Sequence, residues 1–288
     1  MQTHIFALRV CASNGGLVQI MKRNSKGQTL EEFLAAYKPG NYKNPSVTVD
    51  MLIFGISPAK DKLKILLIKR KDHPYIDCWA FPGGFINIDE SAYTAACREL
   101  QEETGLTDVY MEQLYTFSQP DRDPRTRVID IAYMALLPVA TVTAGDDAQD
   151  AAWFDLTMTE DSLQIENSEK NVSIQYRLEH KDFKNGILTI SNQVPILESE
   201  DALAFDHSEI LYEGIQRLRN KVRYTDIAFN LLPSEFTMPE VKAVYDLILG
   251  TNLYLKQINR MTADYVKQVG EQPSNRKGGR PAKLYTHI

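Results

Sequence analysis

The chain is sparing in the features that mark a membrane or an oxidised protein. None of its 288 residues falls in an apolar run of about eighteen, and the first residues lack the basic n-region of a secretory signal. A cytoplasmic protein is therefore expected. Only three cysteines occur, Cys11, Cys78 and Cys97. They have neither paired spacing nor a histidine cluster nearby, which argues against a disulfide framework or a zinc module and for free thiols. Net charge is −6, with no global excess of basic residues. The balance is uneven, however: from Ile215 onward 12 Lys plus Arg stand against 6 Asp plus Glu, leaving 20 against 32 before it. A basic C-terminal module on an acidic body points to an anionic partner for that module alone. A length beyond one typical domain and 43% hydrophobic content suit two packed cores.

The most informative segment runs from Gly84 to Leu106: Gly84, five residues, Glu90, seven residues, then Arg98-Glu99-Leu100-Gln101-Glu102-Glu103-Thr104-Gly105-Leu106. A chance match to this pattern in one chain has odds of roughly 10⁻⁷ at average residue usage, so the spacing carries meaning. If residues 90–104 are helical, Glu99, Glu102 and Glu103 stand at i, i+3 and i+4, and their carboxylates crowd one stripe. Like charges there repel unless a cation joins them, and magnesium, held by a few carboxylates with phosphate oxygens and water, is such a cation. The alternative is a solvated acidic face, which has no need of the flanking glycines. Tyr93, Ala96, Cys97 and Leu100 fall on another stripe and are expected to pack inward. Gly105 is placed to end the helix in a left-handed cap. Phe81-Pro82-Gly83-Gly84 make a tight approach in which glycine admits metal or phosphate close to the backbone.

These residues resemble the signature of the Nudix hydrolases, which cleave nucleoside diphosphates linked to another moiety. The resemblance implies an α/β fold: a Nudix α/β/α sandwich on a mixed sheet, the signature forming a loop-helix-loop. It implies Mg²⁺ or Mn²⁺ as cofactor, with Glu102 and Glu103 as principal metal ligands, Glu99 as third ligand or base partner and Gly84 offering its carbonyl. Glu90 and Arg98 are then the ion pair holding the loop. Bound metal in such a site polarises a phosphoryl oxygen and activates water for attack on phosphorus.

Around the signature, Thr29 with Glu32 reads as a capping box opening a short helix through Tyr37, after which Pro39-Gly40 and Pro45 make a linker. The first 28 residues carry apolar patches at 5–10 and 17–21. They suggest either a hairpin or an extension before a start at Met21. Residues 47–54, 63–68, 109–117 and 127–137 are strand-like. Between the last two, Gln119-Pro120-Asp121-Arg122-Asp123-Pro124-Arg125 offers forked guanidinium donors suited to a diphosphate, or else is a polar hairpin. The acidic stretch Gly145-Asp146-Asp147 before Ala151-Ala152-Trp153-Phe154 fits either a catalytic acid or plain turn chemistry. With the Phe81–Phe85 segment, these two loops resemble the ADP-ribose-specific branch of the Nudix family and, within it, the Nudix-related transcriptional regulators of NAD metabolism. That resemblance implies substrate contacts from Arg70, Arg122, Arg125 and Asp147, and a homodimer. Tyr75, Phe85 and Tyr115 are candidates to stack on a base, although aromatic residues near strands are commonly core.

Residues 163–193 alternate as an extra hairpin. Asp206 with Glu209 opens an amphipathic helix to about Arg219, with Arg217 and Arg219 expected outward. Thr237 with Glu240 caps a second helix ending at Gly250, and 255–260 follows as a shorter one. Strands at 266–269 and 282–285 flank the basic loop 274–281. Helix, turn, helix, strand, basic loop, strand is the order of a winged helix. Lys256 and Arg260 are then candidate DNA contacts on the recognition helix, and Arg276, Lys277 and Arg280 in the wing; the alternative is a winged helix used for dimerisation. The expected organisation is an extension with a short helix over 1–44, the Nudix domain over 45–200, a linker helix over 201–223 and the winged helix over 224–288. Two functions follow. One is a Mg-dependent hydrolase that splits the pyrophosphate of ADP-ribose or a related nucleoside diphosphate and is coupled to double-stranded DNA. The other is a regulator that senses such a ligand with little catalysis.

Overall fold

The structure is a computed structural model and describes residues 22–38, 40, 43–138, 148–273 and 281–288. The chain forms two compact units, residues 1–44 and 45–288. In the first, helix α1 (Leu30–Ala36) is opened by the expected box: the Glu32 N–H donates to Thr29 Oγ1 at 3.2 Å, and the Thr29 N–H donates to the Glu32 carboxylate at 2.8 Å. The apolar patches at 5–10 and 17–21, with Cys11 and Met21, lie outside the described residues.

The second unit is built on a ten-stranded sheet. Its strands are β1 (Ser46–Ile56), β2 (Leu63–Arg70), β3 (Trp79–Ala80), β4 (Gly83–Phe85), β5 (Tyr110–Phe117), β6 (Val128–Leu136), β7 (Ala148–Met158), β8 (Ser162–Asn167), β9 (Val172–Asn185) and β10 (Leu188–Leu197). They run in the order β10-β9-β8-β7-β2-β1-β6-β5, with β3 against β2 and β4 against β1. Strands β1 and β6 are parallel and the other described pairs antiparallel, so the sheet is mixed, as expected.

Alternation along β1 explains the layers. Successive side chains of a strand point to opposite faces. Val49, Met51 and Ile53 pack with Ala95, Ala96 and Leu100 of helix α2 (Ala92–Thr104), whereas Leu52 and Phe54 join the core that holds Ile210, Leu211 and Ile215 of helix α3 (His207–Lys221). Both faces of the strand are apolar because both are covered. The result is an α/β/α sandwich. On the α3 side the approach is close, since a Cβ at Gly214 would stand 2.0 Å from Leu52 Cδ2.

Two expectations about helix faces are corrected. The buried stripe of α2 is Ala95, Ala96, Leu100, Glu103 and Thr104, while Tyr93 and Cys97 are exposed. Alanine pairs let the helix lie close to the sheet where a tyrosine would hold it off, and the turn of the helix brings Glu103 inward. The helix also starts after Ser91, which accepts the Thr94 N–H, so Glu90 belongs to the preceding loop. On α3, Arg219 does not face outward: its guanidinium donates to the Ile248 carbonyl at 2.9 Å and the Met158 carbonyl at 3.0 Å. Buried backbone oxygens attract it because they otherwise lack a donor. Arg217 stays half-exposed beside Glu213.

After a 3₁₀ turn (Ile227–Leu231), helices α4 (Met238–Leu249) and α5 (Leu255–Thr262) precede the ribbon of β11 (Val266–Gln272) and β12 (Ala282–His287). This is a winged helix. The start of α4 is capped by Glu240, whose carboxylate accepts the Thr237 N–H at 2.7 Å and hydroxyl at 3.0 Å; Gly250 ends the helix at φ +64°. Val241, Val244, Tyr245, Ile248 and, on α5, Ile258 join the same core cluster as α3.

Candidate active site and nucleic-acid interface

A cavity of about 360 Å³ opens between the β4–α2 loop, the end of β2, the loop after β5 and the lead into α3. Gly83, Gly84, Phe85, Glu99 and Glu103 form one wall, Arg70, Arg122 and Arg125 another, and Thr48, Asp50, Phe205 and His207 also line it. The signature shapes the first wall. Gly83 N–H donates to the Glu103 carboxylate at 2.6 Å, and a Cβ at Gly84 would sit 2.2 Å from Glu99 Oε1. Only glycine lets the strand pass this close to the carboxylate. Gly105 ends α2 at φ +73° with its N–H on the Gln101 carbonyl, so the left-handed cap is in place.

Arg98 organises the carboxylates. It forms a two-pronged pair with Glu90, at 2.7 and 3.2 Å, and reaches Glu99 at 2.8 Å, Glu102 at 2.9 Å and the Phe85 carbonyl at 3.2 Å. Its hydrogen bonds draw the Glu90 carboxyl down to about 2. Glu99 is pushed the other way, upward, by burial first, against the pull of Arg98 and with the charges of Glu102 and Glu90 adding to the rise. Glu99 and Glu103 face the cavity; Glu102 is turned to Arg98 on the more exposed side, with 58% of its side-chain surface accessible. Among the described residues no three carboxylate, histidine or cysteine side chains converge as a ready cation cage. The expected single stripe of three ligands is thus divided, because the charged Arg98 gives Glu102 a nearer partner. The donor set still fits a hard cation. Two carboxylates at a cradle that a Cβ would fill leave the remaining positions to phosphate and water, as magnesium commonly takes them.

The arginines divide as well. Arg122 was expected to offer free forked donors, and here the structure differs. It is 8% exposed and grips Asp206 through two bonds, at 2.9 and 2.7 Å, with Asp50 at 3.4 Å. Burial works against its charge, but the Asp206 bonds outweigh it and hold the guanidinium protonated. The buried carboxylates claimed it because an unpaired charge at this depth is costly. Arg125 is paired with Asp123 at 2.7 Å yet stays partly exposed, with its guanidinium over the Phe85 ring at 5.5 Å and the Phe205 ring at 6.0 Å. Arg70 donates to the Pro74 carbonyl at 2.9 Å and lies over Phe205 at 5.0 Å. No carboxylate pairs with it among the described residues. Burial and then the charge of Arg125 weaken its hold on the proton, and two cations brought to one cavity in this way favour an anion between them. Asp147 lies outside the described residues.

Beneath the cavity is a polar layer that the sequence reading overlooked. Thr48 Oγ1 donates to Asp130 Oδ1 at 3.0 Å, and Asp130 Oδ2 is buried without a hydrogen-bond partner. Burial and then the neighbouring Asp50 charge raise the Asp130 carboxyl well above its usual range, so it holds its proton. Burial acts on Asp50 too, but His207 and then Arg122 outweigh it and keep that carboxyl low. His207 Nδ1 accepts the Phe81 N–H at 2.9 Å, which leaves Nε2 toward Asp50 at 3.5 Å, and its ring stacks on Phe81 at 5.0 Å. A signal existed for the two acids: Asp50 between Val49 and Met51, and Asp130 between Ile129 and Ile131, are charges inside apolar strands. Phe205, Asp206 and His207 carried none, since only folding brings residues 205–207 back to β1.

At the other end of the unit, Lys256, Gln257, Asn259 and Arg260 are exposed along α5 while Ile258 is buried. The wing residues Arg276, Lys277 and Arg280 lie outside the described residues. Cys78 and Cys97 are free thiols. Among the described residues no helix is long and apolar enough to cross a membrane.

Sheet, signature loop-helix-loop and C-terminal ribbon define a Nudix-domain protein that carries a winged helix. Residues 47–174 match the NUDIX domain family and residues 228–287 the NrtR DNA-binding winged helix domain. The chain is 30% identical over 257 residues to the ADPR responsive transcriptional repressor NtrR of Acinetobacter baylyi, covering 88% of this chain and 87% of the relative. It is 43% identical over 135 residues to the ADP-ribose pyrophosphatase of Methanocaldococcus jannaschii, covering 47% of this chain and 75% of the relative. Among solved structures, the MutT/nudix family protein from Enterococcus faecalis superposes with a TM-score of 0.75 at 31% identity, over 91% of this chain and 94% of that one. The chain belongs to the family of Nudix-related transcriptional regulators of the NrtR type.

Proposed function

We propose that the protein binds ADP-ribose, or a closely related nucleoside diphosphate derivative, in the Nudix cavity, hydrolyses its pyrophosphate with Mg²⁺, and couples that site to double-stranded DNA held by the winged helix. The observation that carries the reading is the cavity itself: buried Glu99 and Glu103 on one wall, Arg70 and Arg125 on the other. A diphosphate spans such a gap with its oxygens toward the arginines and the cation side toward the carboxylates. Arg125, sandwiched near Phe85 and Phe205, and Arg70 over Phe205 provide charge and ring faces together, a combination that suits a phosphate beside a base. Glu99, Glu103 and, after leaving Arg98, Glu102 would hold the metal, with the Gly84 backbone pressed against them. When bound, the metal polarises a phosphoryl oxygen and lowers the pKa of its water. Glu99, its carboxyl raised by burial, is placed to take a proton from attacking water, while the Glu90–Arg98 pair holds the loop that aims it. DNA binding by the module from residue 224 is supported by its family match and by the four polar residues exposed on α5.

One observation favours a second reading, a sensor with little turnover: Glu102 is held by Arg98 rather than turned to the cavity. Product analysis after incubation with Mg²⁺ and ADP-ribose, NADH, dinucleoside polyphosphates and oxidised nucleoside triphosphates separates the two. AMP from ADP-ribose, reduced on the order of 10²–10³-fold in Glu103→Gln and in Glu102→Gln, is the result expected of the hydrolase. Binding of ADP-ribose by calorimetry with no turnover of any compound would leave the sensor; no binding and no turnover would discard both.

A further inference from the structure

Residues 205–207 are at once a wall of the cavity and the first residues of α3. Phe205, held at φ +52°, and His207 line the cavity, and Asp206 between them is gripped by Arg122. The Ala204 N–H is fixed to the Trp79 carbonyl at 2.9 Å. Thirteen helical residues on, His207 through Arg219, and about 18 Å further along the axis, Arg219 clasps the Ile248 carbonyl in the last turn of α4. That carbonyl belongs to the winged helix, where a cation at a helix C-terminus is favourable. Beside it, Lys221 pairs with Glu112 of β5. Midway, Gly214 presses on Leu52 so closely that a Cβ there would overlap it. The helix is therefore gripped by charge at both ends and touches the sheet most tightly near its centre.

We propose that α3 is a lever that reports occupancy of the Nudix cavity to the winged helix, with Gly214 as its fulcrum and the Arg122–Asp206 pair as its catch. The inference rests on the reading that the cavity takes a nucleoside diphosphate. A diphosphate entering beside Arg70 and Arg125 brings negative charge toward Asp50 and Asp206 and competes with Asp206 for the Arg122 guanidinium. The catch is the pair such a ligand weakens, and Phe205 is the wall it pushes. A packed helix moves as a body, not by bending, so motion at residues 205–207 reaches Arg219 and the end of α4. The two ends bind different ligands, and coupling between them must be reciprocal.

Hydrogen exchange of the full chain tests this, in a Glu103→Gln background so that ADP-ribose survives, with calorimetry run on the same samples. Saturating ADP-ribose is expected to change exchange across 237–262 by about fivefold or more. Adding Asp206→Asn, which keeps the shape but weakens the catch, is expected to leave ADP-ribose bound and to reduce that response at least to about a third. Arg219→Met, at the far grip, is expected to do the same without touching the cavity, and stands in if Asp206→Asn unfolds. Bound ADP-ribose with no change across 237–262, or a full response in both variants, would overturn the lever while leaving the functional reading intact. Absence of any binding heat would remove the functional reading and the lever with it.

Discussion

Asp130 is the residue whose chemistry is set most completely by its surroundings. Its carboxyl sits at 0% exposure with one oxygen unpartnered and the Asp50 charge beside it. Its folded pKa lies above the unfolded value, so its favourable contribution is full below the ordinary aspartate range and is lost as pH rises through the folded value. Asp130→Asn keeps the size, supplies a donor and removes the ionisable proton. It is expected to raise unfolding free energy at pH 7 by on the order of 1 kcal/mol, the scale of one buried unsatisfied polar group, with the gain shrinking toward pH 4. Urea melts at pH 4, 5.5 and 7 check both sign and trend; an equal or falling stability at pH 7 would show that the charge is compensated in place. The sequence held a hint of Asp130 and Asp50, as charges in apolar strands, but not of their pairing. That pairing needs β1 and β6 side by side, with Thr48 opposite Asp130 in the parallel register.

Among the elements, α4 is the one whose boundaries the sequence specified most sharply, through Thr237, Glu240 and Gly250. Local capping chemistry needs no partner from elsewhere. Folding adds one: Lys60, in the turn between β1 and β2, pairs with Glu240 at 2.8 Å, so the cap also ties the winged helix to the Nudix sheet. Glu240→Ala is expected to cost about 1–2 kcal/mol, the scale of a lost cap with a small ion-pair contribution, measured by urea melts; a loss under about 0.3 kcal/mol would mean that the box is idle. The register of α2 was less legible. Its apolar residues allow more than one inward stripe, and the sheet chose the one with Ala95 and Ala96 because small side chains permit close packing. That choice turned Glu103 into the cavity and left Tyr93 and Cys97 to solvent. The forked donors expected of the 119–125 loop were half right for a similar reason. Arg125 remains at the cavity mouth, whereas the deeper Arg122 was taken by Asp206, a residue 84 positions away that no local pattern announces.

Over the whole molecule, the acidic front and basic end seen in the sequence correspond to two different ligand chemistries. The Nudix part concentrates carboxylates with arginines for a phosphate-bearing small molecule, and the winged helix offers exposed donors on α5. If those donors meet DNA phosphates, Lys256→Ala and Arg260→Ala are each expected to weaken binding to all duplexes and to reduce the slope of log K against log salt by about 1. Gel shifts from 50 to 200 mM salt measure this. An unchanged slope in both variants would move the interface elsewhere on the module. The same experiment with ADP-ribose present reads the coupling from the DNA side, where linkage requires the same factor as the ligand side.

The sequence by itself determined the features that depend on short-range spacing: the signature glycines and glutamates, the capping boxes, strand alternation, and the order of elements that makes a Nudix sandwich followed by a winged helix. Periodicity and steric limits act over a few residues, so they are written in the chain directly. Only the tertiary structure decided which charges pair and which stay available. It buried Arg122 against Asp206, turned Glu102 to Arg98, brought His207 beneath the cavity and drew Arg219 onto the end of α4. Those choices depend on depth and on partners far apart in the chain, because the energy of a charge depends on how much water and which opposite charge surround it.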